Sequence, residues 1–345
     1  MRGNNRRGKL SSIFRGAVLL VVLTNGTVHS DEWEDGGNIG LGPMDLRSSS
    51  PGQSLRFAMV SVLPGSITPG WSLRLGGSTS NLWINEREYT MDYEILDGYA
   101  GLTYGMTRRL GFGIFYDQRK YYGGILDGFI QNFHDVCGID QGGRDQFPRY
   151  RTRYITRDEM GRPLTEEGDL GEQLDNNGIG LLSHYVLTHG GRWLPSLGAT
   201  ALVHYGLRGP KSPSLPLDIG FGLGMAKRLA NGWFIYGHVG YTNFGQTEFE
   251  DFAFRMENDA WSSMFAVSRQ WRRLGIVAQY NFHEGMVKNY GRFHEPAHEF
   301  TLGLKWQCEN AGVLEFGLIE NFIIYDNSND FGLHLAYAHP LTFLD

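Results

Sequence analysis

Leu274-Gly275-Ile276-Val277-Ala278-Gln279-Tyr280-Asn281-Phe282-His283 repeats with a period of two. Leu274, Ile276, Ala278, Tyr280 and Phe282 share one face, and Gly275, Gln279, Asn281 and His283 share the other. Two is the strand period, because successive side chains on a pleated chain point to opposite faces. The pattern recurs. Phe300, Leu302, Leu304 and Trp306 alternate with Glu299, Thr301, Gly303 and Lys305. Ile219, Phe221, Leu223 and Met225 alternate with Gly220, Gly222 and Gly224. Tyr89, Met91, Tyr93 and Ile95 alternate with Glu88, Thr90, Asp92 and Glu94.

Alternation alone also suits a soluble β-sandwich, so strand length and connections must decide. About fourteen such segments run from 55–63 to 330–338, most of them about 9–11 residues long, which is what a tilted bilayer-spanning strand requires. Without the weak first segment and one other the count is twelve. One boundary is placed at Asp97-Gly98, a turn dipeptide, between segments 87–96 and 99–107. From the fifth segment onward, connections alternate between long and short, as in membrane barrels with short turns at one end and loops at the other. Trp71, Trp83, Trp233, Trp261, Trp271 and Trp306 fall at or near segment ends, where an aromatic girdle would sit. The fold class is therefore all-β, a transmembrane antiparallel β-barrel.

Composition agrees. The 345 residues include 48 Gly and 13% aromatics but only 41% hydrophobics, as expected where half of each strand is wet. No apolar run approaches the roughly 20 residues of a spanning helix. Two Cys exclude a disulfide scaffold or a Cys-rich metal module. At the N-terminus, Arg2, Arg6, Arg7, Lys9 and Arg15 precede Gly16–Thr24, which is mostly apolar, and a small-residue exit at Val28-His29-Ser30. That is the form of a secretory signal peptide, expected over 1–30. Residues 31–54 then read as a periplasmic N-terminal segment and 55–345 as the barrel, in the cell outer membrane. Losing five basic residues with the leader moves the formal charge from −6 to −11, which argues against nucleic acid as a partner.

Residues 120–177 break the alternation. Ile125, Leu126, Phe129, Ile130, Phe133 and Val136 recur at helical spacing, with Asp127, Gln131, His134 and Asp135 opposite. An amphipathic helix is expected over 125–137, ending near Gly138. Arg149, Arg151 and Arg153 follow on one face of an extended stretch. Long ordered loops are often functional, so this insert is expected to act as a plug or constriction. In that reading its arginines pair with inward-facing Glu88, Asp92, Glu94, Glu299 and Glu315. Asp127, His134 and Arg144 complete the pore-lining or ligand-binding candidates. The alternative is a surface loop whose arginines meet lipopolysaccharide phosphates.

The run Gly123-Gly124-Ile125-Leu126-Asp127-Gly128-Phe129-Ile130-Gln131-Asn132-Phe133-His134-Asp135, with Gly138-Ile139-Asp140 and Arg144–Arg149 after it, resembles a family of predicted Gram-negative outer-membrane barrel proteins known as a domain of unknown function. Arg47…Pro51, Trp83, Asp92-Tyr93-Glu94 and Gly178-Ile179-Gly180 are similar to its pattern as well. The resemblance implies location and architecture and carries no activity.

No catalytic constellation emerges. Ser183 and His184 are neighbours on a strand and point to opposite faces, so they cannot pair in one lumen. Pro296 opposes a helical metal face between His294 and His298. Neither a Gly-x-Ser-x-Gly elbow nor a His-Glu-x-x-His helix is present. No catalytic residue, metal or cofactor is expected. The function expected first is a passive channel or transporter for small polar solutes, narrowed by the insert. Behind it stand an enzyme with a rim active site and a structural or adhesin-like barrel. Expected partners are outer-membrane lipid, lipopolysaccharide, the barrel assembly machinery and small solutes.

Overall fold

The computed structural model describes residues 38–56, 67–138, 143–158, 160–163, 174–250, 254–309, 312–321, 327 and 329–341. The signal-peptide expectation and most of the first candidate strand, 55–63, lie outside them.

Twelve antiparallel strands close into a barrel. They are β1 (Gly70–Asn85), β2 (Tyr89–Gly105), β3 (Leu110–Tyr122), β5 (Asn176–Thr188), β6 (Ser196–Arg208), β7 (Leu217–Arg228), β8 (Trp233–Asn243), β10 (Asp259–Trp271), β11 (Leu274–His283), β13 (Ala297–Gln307), β14 (Val313–Glu320) and β15 (Phe331–Leu341). Closure comes from β15 pairing with β1, from Phe331↔Asn81 to Leu341↔Trp71. A short strand, β4 (Arg153–Thr156), adds to the far end of β2. Two further short strands, β9 (Arg255–Met256) and β12 (Val287–Lys288), pair with each other in the loops.

Of the two strand counts, twelve is the one formed. Asp97-Gly98 makes no turn, and β2 runs straight through it, with Asp97 opposite Ser78 and Gly98 opposite Gly77. A turn signature loses here because both flanks have ladder partners on β1 and β3, and because the Asp97 side chain is held inside by cations. The helix appears as expected. It is α2 (Asp127–Cys137), ended by Gly138 at φ 66°, the left-handed conformation glycine favours. A single turn, α1 (Pro51–Ser54), precedes β1.

Outward positions form an apolar belt. Ile219, Phe221 and Leu223 are exposed on β7, Leu302 and Leu304 on β13, and Phe316 and Leu335 on β14 and β15. Inward positions on the same strands, Asp218, Glu299, Lys305, Glu315 and His334, are buried. Polar inside and apolar outside inverts the order of a soluble protein, and the only solvent that suits it is lipid. Trp71, Trp233, Trp271 and Trp306 sit at the short-turn end of their strands. Trp83 departs from the girdle, since it lies under the insert against Phe147. On this basis Leu223→Arg, at a belt position 61% exposed, is expected to lower unfolding stability in lipid by about 2–4 kcal/mol. Urea titration of the vesicle-reconstituted protein would measure it, and a value near zero would oppose a membrane-facing belt.

Candidate functional site

The lumen is occupied by the chain's own residues 38–56. Sequence reading places 31–54 ahead of the barrel, whereas the described part of that stretch threads through it. At the short-turn end, the Asn38 side-chain amide donates to the carbonyls of His189, Gly191 and Leu194 at 3.3–3.4 Å. Next, the Tyr236 hydroxyl donates to the Ile39 carbonyl at 2.7 Å. Lys305 Nζ donates to the carbonyls of Leu41 and Pro43. Gln279 grips Met44 at two points, accepting from its N–H at 2.8 Å and donating to its carbonyl at 3.0 Å. Gly303 and Gly317 make room there, since a Cβ on either would meet Met44 at 2.7–3.1 Å. These glycines clear space for the segment.

Ion pairs hold the middle. Arg47 Nη1 lies 3.0 Å from Asp97 and 2.8 Å from Asp117, with all three side chains at least nine-tenths buried. Arg74 joins Asp45 at 3.1 Å to Glu315 at 3.0 Å, and Lys305 reaches Glu315 at 3.2 Å. One carboxylate oxygen of Glu299 accepts from the Ser48 hydroxyl and the Ser49 N–H, both at 2.9 Å. Towards the long-loop end, the Ser54 carbonyl accepts from Arg119 at 2.9 Å. Arg56 pairs with Asp218 at 3.4 Å and lies over the Phe244 ring. A cavity of about 40 Å³ remains beside it, lined by Arg47, Arg56, Asn176, His204 and Arg208 among others. Water fits there and a sugar-sized solute does not.

Above the belt the interior changes character. Leu82, Ile84, Tyr89, Met91, Tyr93, Ile95, Tyr121 and Tyr154 pack with Leu174, Phe244, Phe249, Phe254, Met256, Met286 and Phe293 into a buried apolar lid. The Tyr290 hydroxyl ties it to the strand ends by donating to the Glu88 carbonyl at 2.8 Å, and burial raises that phenol above its usual range.

This lid reverses the expected facing of the β2 acids. Tyr89, Met91, Tyr93 and Ile95 point inward, so Asp92 and Glu94 lie on the outer face, beneath the insert. Above the belt the inside is an apolar core, and the two faces exchange polarity. Glu94 accepts from the Leu126 N–H and the Tyr122 hydroxyl. Asp127 accepts from the Asn81 amide at 3.0 Å and the Tyr150 N–H at 2.7 Å. Arg144 is buried against Asn81 and Asp330 and lies over Trp83. Arg153 stacks on Phe147 at 4.5 Å. Arg149 and Arg151 are exposed, His134 is half-buried on α2, and Glu88 sits in the β1–β2 turn. Only Glu299 and Glu315 of the expected carboxylates face the lumen: Glu299 holds the N-terminal segment directly, and Glu315 holds Arg74 and Lys305, the cations that grip it.

Sequence reasoning did not single out Arg56, Arg74, Asp97, Asp117, Arg119 or Asp218. One signal existed: Asp117-x-Arg119 sets opposite charges on one strand face of an otherwise apolar segment.

A closed, polar-lined barrel with an apolar belt and a lumen filled from its own N-terminus defines a transmembrane barrel of occupied type. The chain belongs to the family described as "Protein of unknown function (DUF3187)", whose model matches residues 19–341. Among curated proteins none matches it. Similar solved structures include the KdgM porin, at 4% identity over 78% of this chain and 99% of that one with a TM-score of 0.42. The toluene transporter TodX of P. putida matches at 12% identity over 80% of each chain, TM-score 0.38. The transport unit of the autotransporter AIDA-I from Escherichia coli matches at 10% identity over 79% of this chain and 91% of that one, TM-score 0.48.

Proposed function

We propose that this protein is an outer-membrane channel for small polar solutes, closed at rest by residues 38–56 and by the lid. The 120–177 insert shares in that closure, since Tyr154 and Leu174 are lid residues. The observation that carries the reading is the chemistry of the wall. His238 Nε2 and both ring nitrogens of His283 are buried without a hydrogen-bond partner among the described residues. Buried polar groups are satisfied by protein or by water, so a wall of this kind suits a wet passage. The segment that fills it is held by ion pairs and hydrogen bonds, contacts that water and solute can replace. In this placement the short turns and residue 38 face the periplasm, and the long loops face outward, where lipopolysaccharide phosphates meet exposed arginines. Folding is assigned to the barrel assembly machinery, for which β15 supplies the strand that closes on β1.

Planar-bilayer recording tests the channel. The native protein is expected to conduct rarely, and a variant that lacks residues 38–56 and carries Phe254→Ser and Phe293→Ser in the lid to conduct steadily, while both keep heat-modifiable gel migration. A folded deletion variant that stays silent would overturn the reading. It would favour a closed structural barrel, to which the apolar lid also lends support.

A further inference from the structure

We propose that α2 is a lipid-binding element: it seats its exposed face in the acyl layer of the outer leaflet, and Arg149 and Arg151 bind phosphates of the lipid headgroups. The inference rests on the outer-membrane placement above and is independent of whether the barrel conducts.

The helix is mounted the wrong way round for water. Asp127, Ile130 and Gln131 are its buried residues, at 2–5% exposure, while Phe129, Phe133 and Val136 are 54%, 48% and 87% exposed. Ile125, just before the helix, is 73% exposed. Positions 125, 129, 133 and 136 fall on a single helical face. A solvated loop would turn that face to the protein and Asp127 to water. Here Asp127 is instead fastened to the wall by Asn81, so the apolar side is held outward. Exposed apolar faces of this kind mark an interaction surface, and amphipathic helices lying at a membrane boundary have the same form.

Two observations specify lipid. First, the face is continuous with the barrel's belt. Phe129 rests on Phe331, ring centroids 5.5 Å apart, and Phe331 opens β15 in the same outward register as Leu333 and Leu335. Second, the Asp127 carboxylate that fixes the helix also accepts from the Tyr150 N–H. That bond brings Arg149 and Arg151, both exposed, beside the N-terminal end of the helix. Cations just above an apolar face are complementary to a leaflet whose headgroups carry phosphate.

Spin-label accessibility decides the matter. In the full chain with Cys137→Ser and Cys308→Ser, single labels are placed at Phe133→Cys, Val136→Cys and the belt position Leu335→Cys. The protein is reconstituted in phosphatidylcholine vesicles containing lipid A. Labels at 133 and 136 are expected to collide several-fold more with dissolved oxygen than with a water-soluble nickel chelate, as at 335. In Arg149→Gln/Arg151→Gln protein that preference at 136 is expected to fall. Chelate-favoured collisions at 133 and 136, with 335 still oxygen-favoured, would overturn the seating of the helix. Labels reached by neither reagent would assign the face to a second copy of the chain and overturn it equally. An undiminished oxygen preference in the arginine variant would overturn the phosphate contacts. A chelate-favoured label at 335 would overturn the membrane placement itself, and with it this proposal.

Discussion

Arg47→Met will release the N-terminal segment from the lumen while the barrel stays folded. Arg47 lies between two carboxylates, 3.0 Å from Asp97 and 2.8 Å from Asp117, and its side chain is 9% exposed. Removing one member of a buried ion pair costs about 3–5 kcal/mol, because the partner is left charged without compensation. Here the lower end applies. Asp97 keeps Arg119 at 3.2 Å, and Asp117 keeps His204 at 2.8 Å. The loss falls on docking, since Asp97 and Asp117 belong to strands whose ladders do not involve Arg47. A cost of about 3 kcal/mol is roughly a hundredfold in the open population, and proteolysis follows that population when reclosing is fast. Cleavage within residues 38–56 of the folded barrel should therefore be about a hundred times faster by a protease of broad specificity. Arg47→Met combined with Asp117→Asn should return it part of the way, because Asp97 still pairs with Arg119 and the amide at 117 carries no charge to leave unpaired. Unchanged cleavage in the single variant would mean that Arg47 does not hold the segment in place.

What the sequence could and could not disclose follows from what periodicity measures. Alternation in 274–283 identifies a strand and, because this strand lies at belt depth, also its inner face: Gln279, Asn281 and His283 are buried. The same argument applied to 87–95 finds the strand and inverts its facing. Alternation reports that two environments differ; it does not report which is inside. At belt depth the outside is lipid and the inside polar, whereas above it the lid is apolar and the outer face meets Leu126 and Arg144. The same limit applies to α2, whose span is legible from spacing and Gly138 but whose apolar face points away from the protein. The lumen segment is harder still. Residues 38–56 have no period, and their partners lie far away in sequence, as Gln279 does from Met44, 235 residues apart. Nothing local specifies such contacts. Asp97-Gly98 shows the converse, a strong local turn signal overruled by ladder pairing and by a buried cation.

Glu315→Leu should be the most damaging single change in the wall. Glu315 is 2% exposed and faces Lys305, its direct register partner on β13, at 3.2 Å. It also faces Arg74 of β1, 3.0 Å away. Without the carboxylate, Lys305 keeps the carbonyls of Leu41 and Pro43, and Arg74 keeps Asp45. All of those partners belong to the lumen segment, so the strands themselves lose the link across β13, β14 and β1. Buried Lys305 and half-buried Arg74 then face one carboxylate, Asp45, and the expected loss of unfolding stability is about 3 kcal/mol, the lower end for a broken buried pair. Removing the cation as well should help. In Lys305→Met/Glu315→Leu the repulsion is gone and two apolar side chains of similar length fill the space, an exchange that is often close to neutral for buried pairs. The double variant is therefore expected to be more stable than Glu315→Leu alone, which is a non-additivity that a double-mutant cycle isolates. Its remaining deficit should appear in segment docking, because the Leu41 and Pro43 carbonyls lose their donor. Urea unfolding would rank the three proteins, and cleavage within 38–56 would report docking. If Glu315→Leu proved no less stable than the double variant, the carboxylate would not be offsetting the two cations, and the charged wall would need another explanation.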